Sequence, residues 1–257
     1  HEMRTPLNAV IGITNALVDE SPLESQKENL GILKFSANNL LTLINDVLDF
    51  TKIETGNLKL EFIPFDLQKL VNNTIDAFKY KTKEKQLVVR QSVDPAIPQF
   101  IIGDPTRLYQ IFNNLLGNAI KFTDTGEVVL RLISEKVDNE NVTIRFEVSD
   151  TGIGIPADKL DVIFEAYAQA QHDTTRKYGG TGLGLAITRN LVQLHDSNIH
   201  VKSKEGEGTC FFFTISFKRS SSLQAPPPSV KGQDSFSSTV LLVDDNAMNR
   251  LIGKKVL

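Results

Sequence analysis

Val142-Thr143-Ile144-Arg145-Phe146-Glu147-Val148-Ser149-Asp150-Thr151-Gly152-Ile153-Gly154-Ile155 decides how the rest of the chain is read. Apolar Val142, Ile144, Phe146 and Val148 alternate with Thr143, Arg145, Glu147 and Ser149, the period of a strand with one buried face. The strand closes on a carboxylate, and two glycines follow, which let backbone approach a neighbour closely. Upstream, Val128, Leu130 and Leu132 alternate in the same way, and Asp138-Asn139-Glu140-Asn141 reads as the loop of a hairpin. Downstream, Leu183 to His195 reads as a helix leading into strands Ile199 to Ser203 and Thr209 to Phe217. On the other side, Leu87-Val88-Val89 reads as a strand, and Asp66 caps a helix running to about Tyr80. Asp104-Pro105 starts a helix that turns Leu108, Ile111, Phe112, Leu115, Leu116 and Ala119 inward. This order predicts an α+β two-layer sandwich, with helices on one face of a largely antiparallel sheet.

The N-terminal part has the helical period instead. Leu7, Val10, Ile11, Thr14, Leu17 and Val18 keep one face apolar, and the pattern stops between Asp19 and Pro22. Ser21-Pro22-Leu23-Glu24 predicts a second helix start, with Ser21 as N-cap, Pro22 where its missing N–H costs nothing, and Glu24 reaching back. Leu30, Leu33, Ala37, Leu40, Ile44, Val47 and Thr51 then recur at alternating steps of three and four, a heptad seam widened by Leu41 and Leu48. Faces this broad cannot be covered by two helices alone. The expectation is an α-helical hairpin that dimerises with a second copy into a four-helix bundle. Gly56 and Pro64 punctuate its exit.

Composition narrows the classes. The chain has 257 residues, 40% of them apolar, which is enough for more than one ordinary domain. A net charge of -3 gives no bulk attraction to polyanions, so no nucleic acid partner is expected. The single Cys210 excludes an intrachain disulfide and, with no paired cysteines, argues against a structural zinc site and for a reducing compartment. No apolar run approaches the roughly 18 residues that span a bilayer, and no signal peptide opens the chain. The expected location is cytoplasmic, with a membrane involved only through a missing upstream sensor region. No internal repeat is apparent.

Three blocks carry nucleotide chemistry. Asp150, at a strand end beside Gly152 and Gly154, can accept a hydrogen bond from an exocyclic amine such as that of adenine. Asn114 and Asn118 lie one helical turn apart, with Lys121 following; amide oxygens suit Mg²⁺, and Lys121 offers phosphate a point charge. Gly180-Thr181-Gly182-Leu183-Gly184 leads into a helix whose N-terminal N–H groups can face phosphate, without the Gly-Lys-Ser/Thr ending of a P-loop. Between the glycine blocks, Pro156 to Gly179 reads as a lid. In it, Arg176 and Lys177 read equally as phosphate contacts on closure and as a solvated basic pair. Gly206-Glu207-Gly208-Thr209 reads mostly as a hairpin turn.

His1 is followed by Glu2-Met3-Arg4-Thr5-Pro6. A neutral imidazole nitrogen is nucleophilic, and a neighbouring carboxylate can hold the other ring N–H. Thr5 falls one turn on, where its hydroxyl can orient a water, and Pro6 should kink the helix just beyond. His172, His195 and His200 have no such surroundings and read as ordinary residues.

The His1–Pro6 block, Asn114–Phe122, Asp150–Ile155, Phe164-Glu165-Ala166-Tyr167 and Gly180–Leu185 occur in the order and spacing of a sensor histidine kinase. Over residues 1–218 the chain resembles the transmitter core of that family, with a HisKA-like hairpin and a HATPase_c-type, Bergerat (GHKL-like) ATP-binding fold. Val240-Leu241-Leu242-Val243-Asp244-Asp245-Asn246 is similar to the start of an α/β receiver domain, which points to the hybrid branch. The resemblance implies a hairpin over residues 1–63, a catalytic ATP-binding domain over 64–218, a linker over 219–238 and a truncated receiver start over 239–257. It makes His1 the phosphoacceptor, Glu2 its proton partner, and Thr5 the residue that orients water for phosphatase activity toward a receiver. It implies ATP and Mg²⁺ as cofactors. The ATP contacts would be Asn114, Asn118, Lys121, Asp150, Gly152, Gly154, Ile155, Phe164, Arg176, Lys177, Gly180, Thr181, Gly182, Leu183, Gly184 and Thr209. Asn118 would be the metal ligand, and Asp244 and Asp245 would bind Mg²⁺ in an intact receiver. The implied partners are a second copy of the chain and a receiver in cis or in trans. Two other readings stay in play: a non-catalytic nucleotide-binding signalling scaffold, and a gyrase, MutL or Hsp90-like ATPase, which would need a Glu in place of Asn114.

Overall fold

A computed structural model of the chain describes residues 4–20, 22–166 and 182–220. Two compact units divide between Asp49 and Phe50. The first holds helix α1 (Arg4–Asp19) and most of α2 (Glu24–Glu54). Along α2, Leu30 and Ala37 are buried, whereas Leu33, Leu40 and Val47 stay about half exposed in a single chain. The predicted start of α2 needs one correction. The helix opens at Glu24, after Pro22, and the Gln26 side-chain oxygen accepts the Leu23 N–H at 3.1 Å. Leu23 has no side-chain acceptor of its own, so only the reciprocal half of a capping box operates. Ser21 lies outside the described residues.

The second unit is the sandwich. Its strands are β1 (Ile63–Asp66), β2 (Val88–Val93), β3 (Phe100–Gly103), β4 (Glu127–Val137), β5 (Asn141–Asp150), β6 (His200–Lys204) and β7 (Gly208–Arg219). They form one sheet in the order β1-β3-β7-β5-β4-β2, with β6 paired to β7. Every pairing is antiparallel except β2 with β4, so the sheet is mixed. Helices α3 (Leu67–Glu84), α4 (Pro105–Phe122) and α5 (Gly184–Leu194) cover one face. α4 packs on β4 and β5, between α3 and α5.

Local chemistry sets the helix ends. Asp66 and Asp104 are N-caps, accepting the Lys69 N–H at 2.8 Å and the Arg107 N–H at 3.0 Å, and Pro105 sits where its missing N–H is not needed. α3 runs past Tyr80 to Glu84, because Lys81 to Glu84 contain no breaker, and it stops where Gln86 takes a positive φ of 56°. The alternation along β5 puts Val142, Ile144, Phe146 and Val148 in the core at 1% exposure or less. There Phe146 stacks on Phe213 at 5.1 Å and tilts against Phe112 at 5.5 Å. The last turn of α2 joins this core through Phe50 and Ile53. On the open face, Arg145 donates to Glu147 at 2.8 Å and lies 4.4 Å from the Phe212 ring centroid.

Candidate functional site

The end of β5 and the end of α4 meet. Register pairs Asp150 with Val128 on β4 and with Thr209 on β7, so the carboxylate emerges between two strands. Its Oδ1 accepts the N–H groups of Gly152 at 2.9 Å and Thr209 at 3.3 Å. Both bonds fall on one oxygen, and among the described residues no hydrogen bond is made by Oδ2. Burial pushes the Asp150 carboxyl above its ordinary range, and the two backbone donors pull it part of the way back. A side chain at Gly152 would collide with the Phe122 carbonyl, and one at Gly208 with the Asp150 carbonyl. These two glycines are there because three backbone segments touch. Ile153 donates its N–H to the Phe122 carbonyl at 3.2 Å, which fastens the glycine turn to the last residue of α4. Gly154 and Ile155 continue onto β6, where the Ile155 N–H reaches Ser203 Oγ at 2.8 Å. Ser203 in turn donates to the Gly208 carbonyl at 2.8 Å and lies 2.9 Å from Thr209 Oγ1.

α4 supplies the second half of the site. Asn114 and Asn118 are both partly buried on it, and Lys121 sits in its last turn. The Asn114 amide donates to the Gly184 carbonyl at 3.2 Å and lies 3.4 Å from Thr188 Oγ1, which ties α4 to the first turn of α5. Lys121 is half-buried, with its Nζ 4.7 Å from the Phe122 ring centroid. Burial, and then the charge of Lys81, lower its pKa. A half-buried ammonium beside another cation gains most from an anionic ligand. Among the described residues no group of three or more His, Cys, Asp and Glu gathers that could hold a metal ion. Amide oxygens, together with oxygens of a bound phosphate, fit Mg²⁺ and the polyphosphate that would accompany it.

Residues 1–56 match the family described as the His Kinase A (phospho-acceptor) domain, and residues 103–219 match the Histidine kinase-, DNA gyrase B-, and HSP90-like ATPase. The chain belongs to the histidine kinases. It is 42% identical over 221 residues to "Hybrid signal transduction histidine kinase L" of Dictyostelium discoideum, covering 85% of this chain and 13% of the relative. Signal transduction histidine-protein kinase BarA of Escherichia coli (strain K12) is 39% identical over 231 residues, covering 90% of this chain and 25% of BarA. Autoinducer 2 sensor kinase/phosphatase LuxQ of Vibrio parahaemolyticus is 39% identical over 262 residues, covering 99% of this chain and 30% of LuxQ. The chain thus spans less than a third of these relatives. Among solved structures, full-length ShkA in complex with AMPPNP superposes with a TM-score of 0.70 at 34% identity, over 86% of this chain and 45% of that one.

The phosphoacceptor-domain match separates this histidine kinase chain from gyrase- and Hsp90-type ATPases, which the ATPase match alone does not. Of the residues read from sequence, Asn114, Asn118, Lys121, Asp150, Gly152, Gly154, Ile155, Gly182, Leu183, Gly184 and Thr209 are described and lie on α4, the strand-end turn, β7 or the start of α5. Leu183 is buried in the core at 1% exposure, so it can offer a nucleotide only its backbone. Thr209 acts through its N–H on Asp150 rather than through its buried side chain. Phe164 packs edge-on against Phe211 at 6.1 Å, anchoring the segment after the short 3₁₀ turn Ala157–Lys159. Thr5 is half-buried in the first described turn of α1. His1, Glu2, Arg176, Lys177, Gly180, Thr181, Asp244 and Asp245 lie outside the described residues. Sequence reading missed Ser203 and Lys85. Ser203 had a signal in its position opposite the Gly206-Glu207-Gly208-Thr209 turn; Lys85 had none.

Proposed function

We propose that the chain is the catalytic core of a hybrid sensor kinase: it transfers the γ-phosphoryl group of ATP to the His1 imidazole and passes it to an aspartate of a receiver domain. The observation that carries the reading is the joint of β5 and α4, where Asp150 keeps Oδ2 clear beside a closed glycine turn while the same joint holds the helix of Asn118 and Lys121. Asp150 Oδ2 accepts the adenine amine, and Gly152 lets the turn close against the Phe122 carbonyl, which keeps that carboxylate in place. Lys121 neutralises phosphate charge, and Gly182 and Gly184 present the N-terminus of α5 to it. Mg²⁺, bound with the nucleotide, would be held by the Asn118 amide oxygen and would screen the phosphate charge. His1 contributes one ring nitrogen, which bonds to the γ-phosphorus as the bond to the bridging oxygen breaks and ADP leaves; Glu2 holds the proton of the other nitrogen. Positioning and charge neutralisation supply most of the acceleration.

Thr5 orients a water for the reverse duty, removal of phosphate from a receiver, a dual role that matches the kinase/phosphatase name of LuxQ. The half-exposed seam of α2 is covered by a second copy of the chain, giving a homodimer. The need for ATP favours a cytoplasmic location for these domains, with any membrane anchor in a sensor region upstream; no described helix is long and apolar enough to cross a membrane. Residues 239–257 begin a receiver in which Asp244 and Asp245 belong to the acid pocket.

Asn118→Asp and Asp150→Asn test the division of roles. The first is expected to impair label transfer from γ-labelled ATP more than ATP binding, the second to weaken binding first. Equal losses of both quantities in both variants would contradict the assignment.

A further inference from the structure

The last turn of a helix leaves carbonyl oxygens without helical partners. At the end of α4 all of them are taken. Ala119 O accepts Thr123 Oγ1–H at 2.7 Å, and Phe122 O accepts the Ile153 N–H at 3.2 Å. The rest fall to one side chain: Lys85 Nζ donates to Ile120 O at 2.8 Å and to Lys121 O and Thr123 O at 3.1 Å each, and it lies 3.6 Å from Asp124 Oδ1. An ammonium has three donors, and this one places them on three carbonyls at the negative end of the α4 dipole.

Lys85 reaches this place because it caps the neighbouring helix. It is the C-cap residue of α3, its own N–H bonded back to Lys81 O. One turn or two earlier, Phe78 lies 3.9 Å from where a side chain at Gly117 would begin, so the two helices run close along this stripe. The end of α4 is therefore held from two sides. The glycine turn after Asp150 grips Phe122, and Lys85 grips the residues on either side of it. Asp150 itself is fixed by Gly152 and Thr209 on the sheet, without help from Lys85.

We propose that Lys85 is a positioning residue for phosphoryl transfer: by clamping the three carbonyls it sets the last turn of α4, and with it Lys121 and Asn118, at the distance from Asp150 that a nucleoside triphosphate requires. The inference rests on the ATP reading above. Without the clamp Ile120, Lys121 and Thr123 lose their shared carbonyl partner while Phe122 stays fastened to the glycine turn through Ile153, so the triphosphate and the nucleoside respond differently.

The test titrates ATP with Mg²⁺, and separately adenosine, into the full chain as wild type, Lys85→Met and Lys85→Arg, alongside thermal melting. Lys85→Met is expected to lower ATP affinity by about ten-fold, the scale of losing a residue that orients ligand-binding groups, while adenosine affinity stays at the wild-type value. Lys85→Arg, which keeps a multi-donor cation, is expected to restore part of the loss. Amide exchange at Ile120 to Thr123 should rise in Lys85→Met and return toward wild type in Lys85→Arg. If ATP and adenosine weaken in parallel with the melting temperature, Lys85 serves only the fold, and if neither ligand weakens Lys85 does not position the site; both results overturn the inference. A wild-type chain that binds no ATP overturns the nucleotide reading instead, which keeps the two failures distinct.

Discussion

The sandwich and the hairpin treat their apolar residues in opposite ways. In the sandwich, Ile111, Phe112, Leu115 and Leu116 of α4 are all at 0% exposure, met by Phe146 of β5 and the phenylalanines of β7. In the hairpin, Leu33 and Leu40 of the α2 heptad seam are 51% and 48% exposed, and Val10 on the apolar face of α1 is 45% exposed. One unit completes its core with its own chain; the other carries part of a core that needs covering. The lesson is a division of labour. A nucleotide site requires several backbone segments held in fixed contact, as at Gly152 and Gly208, and a self-contained sheet provides that. A surface proposed to join a second copy leaves its apolar stripe open.

The largest effect should come from charging that stripe. Leu33→Glu combined with Leu40→Glu is expected to convert the dimer to a monomer by sedimentation while leaving ATP affinity unchanged. A dimer that persists would break the comparison, and so would a loss of ATP binding with the dimer.

A smaller effect probes the sandwich's self-sufficiency. Asp104 is buried at 4% exposure, caps α4, and also accepts the Glu61 N–H at 3.0 Å. Asp104→Ala removes both acceptors and is expected to cost about 2 kcal/mol of unfolding free energy in denaturant titration. The capped helix carries the site, so ATP affinity should fall with stability, and dimer formation should not. A change near zero would mean that the first turn of α4 does not depend on its cap.

The smallest is a pH effect. The Asp150 carboxyl titrates above the usual carboxylate range because it is buried. On the proposed role of Asp150 the adenine amine needs the carboxylate, so ATP affinity is expected to be full where Asp150 is ionised and to decline as falling pH protonates it. Stability runs the other way. The fold favours the neutral acid, so ionised Asp150 is destabilising at neutral pH, and that penalty is relieved as pH falls. Asp150→Asn should therefore raise the melting temperature slightly at neutral pH while weakening ATP binding. If ATP affinity holds steady down through the ordinary carboxylate range, Asp150 is not the adenine acceptor.

What could be read from sequence was local. The alternation of Val142 to Val148, the caps at Asp66 and Asp104, and the Asp138 turn, whose carboxylate accepts the Asn141 N–H at 2.7 Å, are each decided within a few residues. Strands β1 and β3 were not legible. Ile63–Asp66 and Phe100–Gly103 are four residues each, too short to show a period, and they exist because they pair with one another and because β3 also pairs with β7. The same limit applies in the site. Asp150, Asn118 and Lys121 stood out because their motifs are contiguous, whereas Lys85 meets Ile120, Lys121 and Thr123 only through the packing of α3 on α4. Gly208 looked like a turn residue because its closeness to the Asp150 carbonyl is invisible until β5 and β7 are paired.

The central claim, that this ATP site phosphorylates His1, is tested most directly by incubating the chain with γ-labelled ATP and Mg²⁺ and challenging the labelled protein with acid and with base. The account predicts label on the protein that is lost in acid and kept in base, absent from His1→Gln, and absent from Asn118→Asp under conditions where that variant still binds ATP. Label that survives acid, label that persists in His1→Gln, or ATP binding without any label in the wild-type chain would contradict it, the last favouring a nucleotide-binding scaffold.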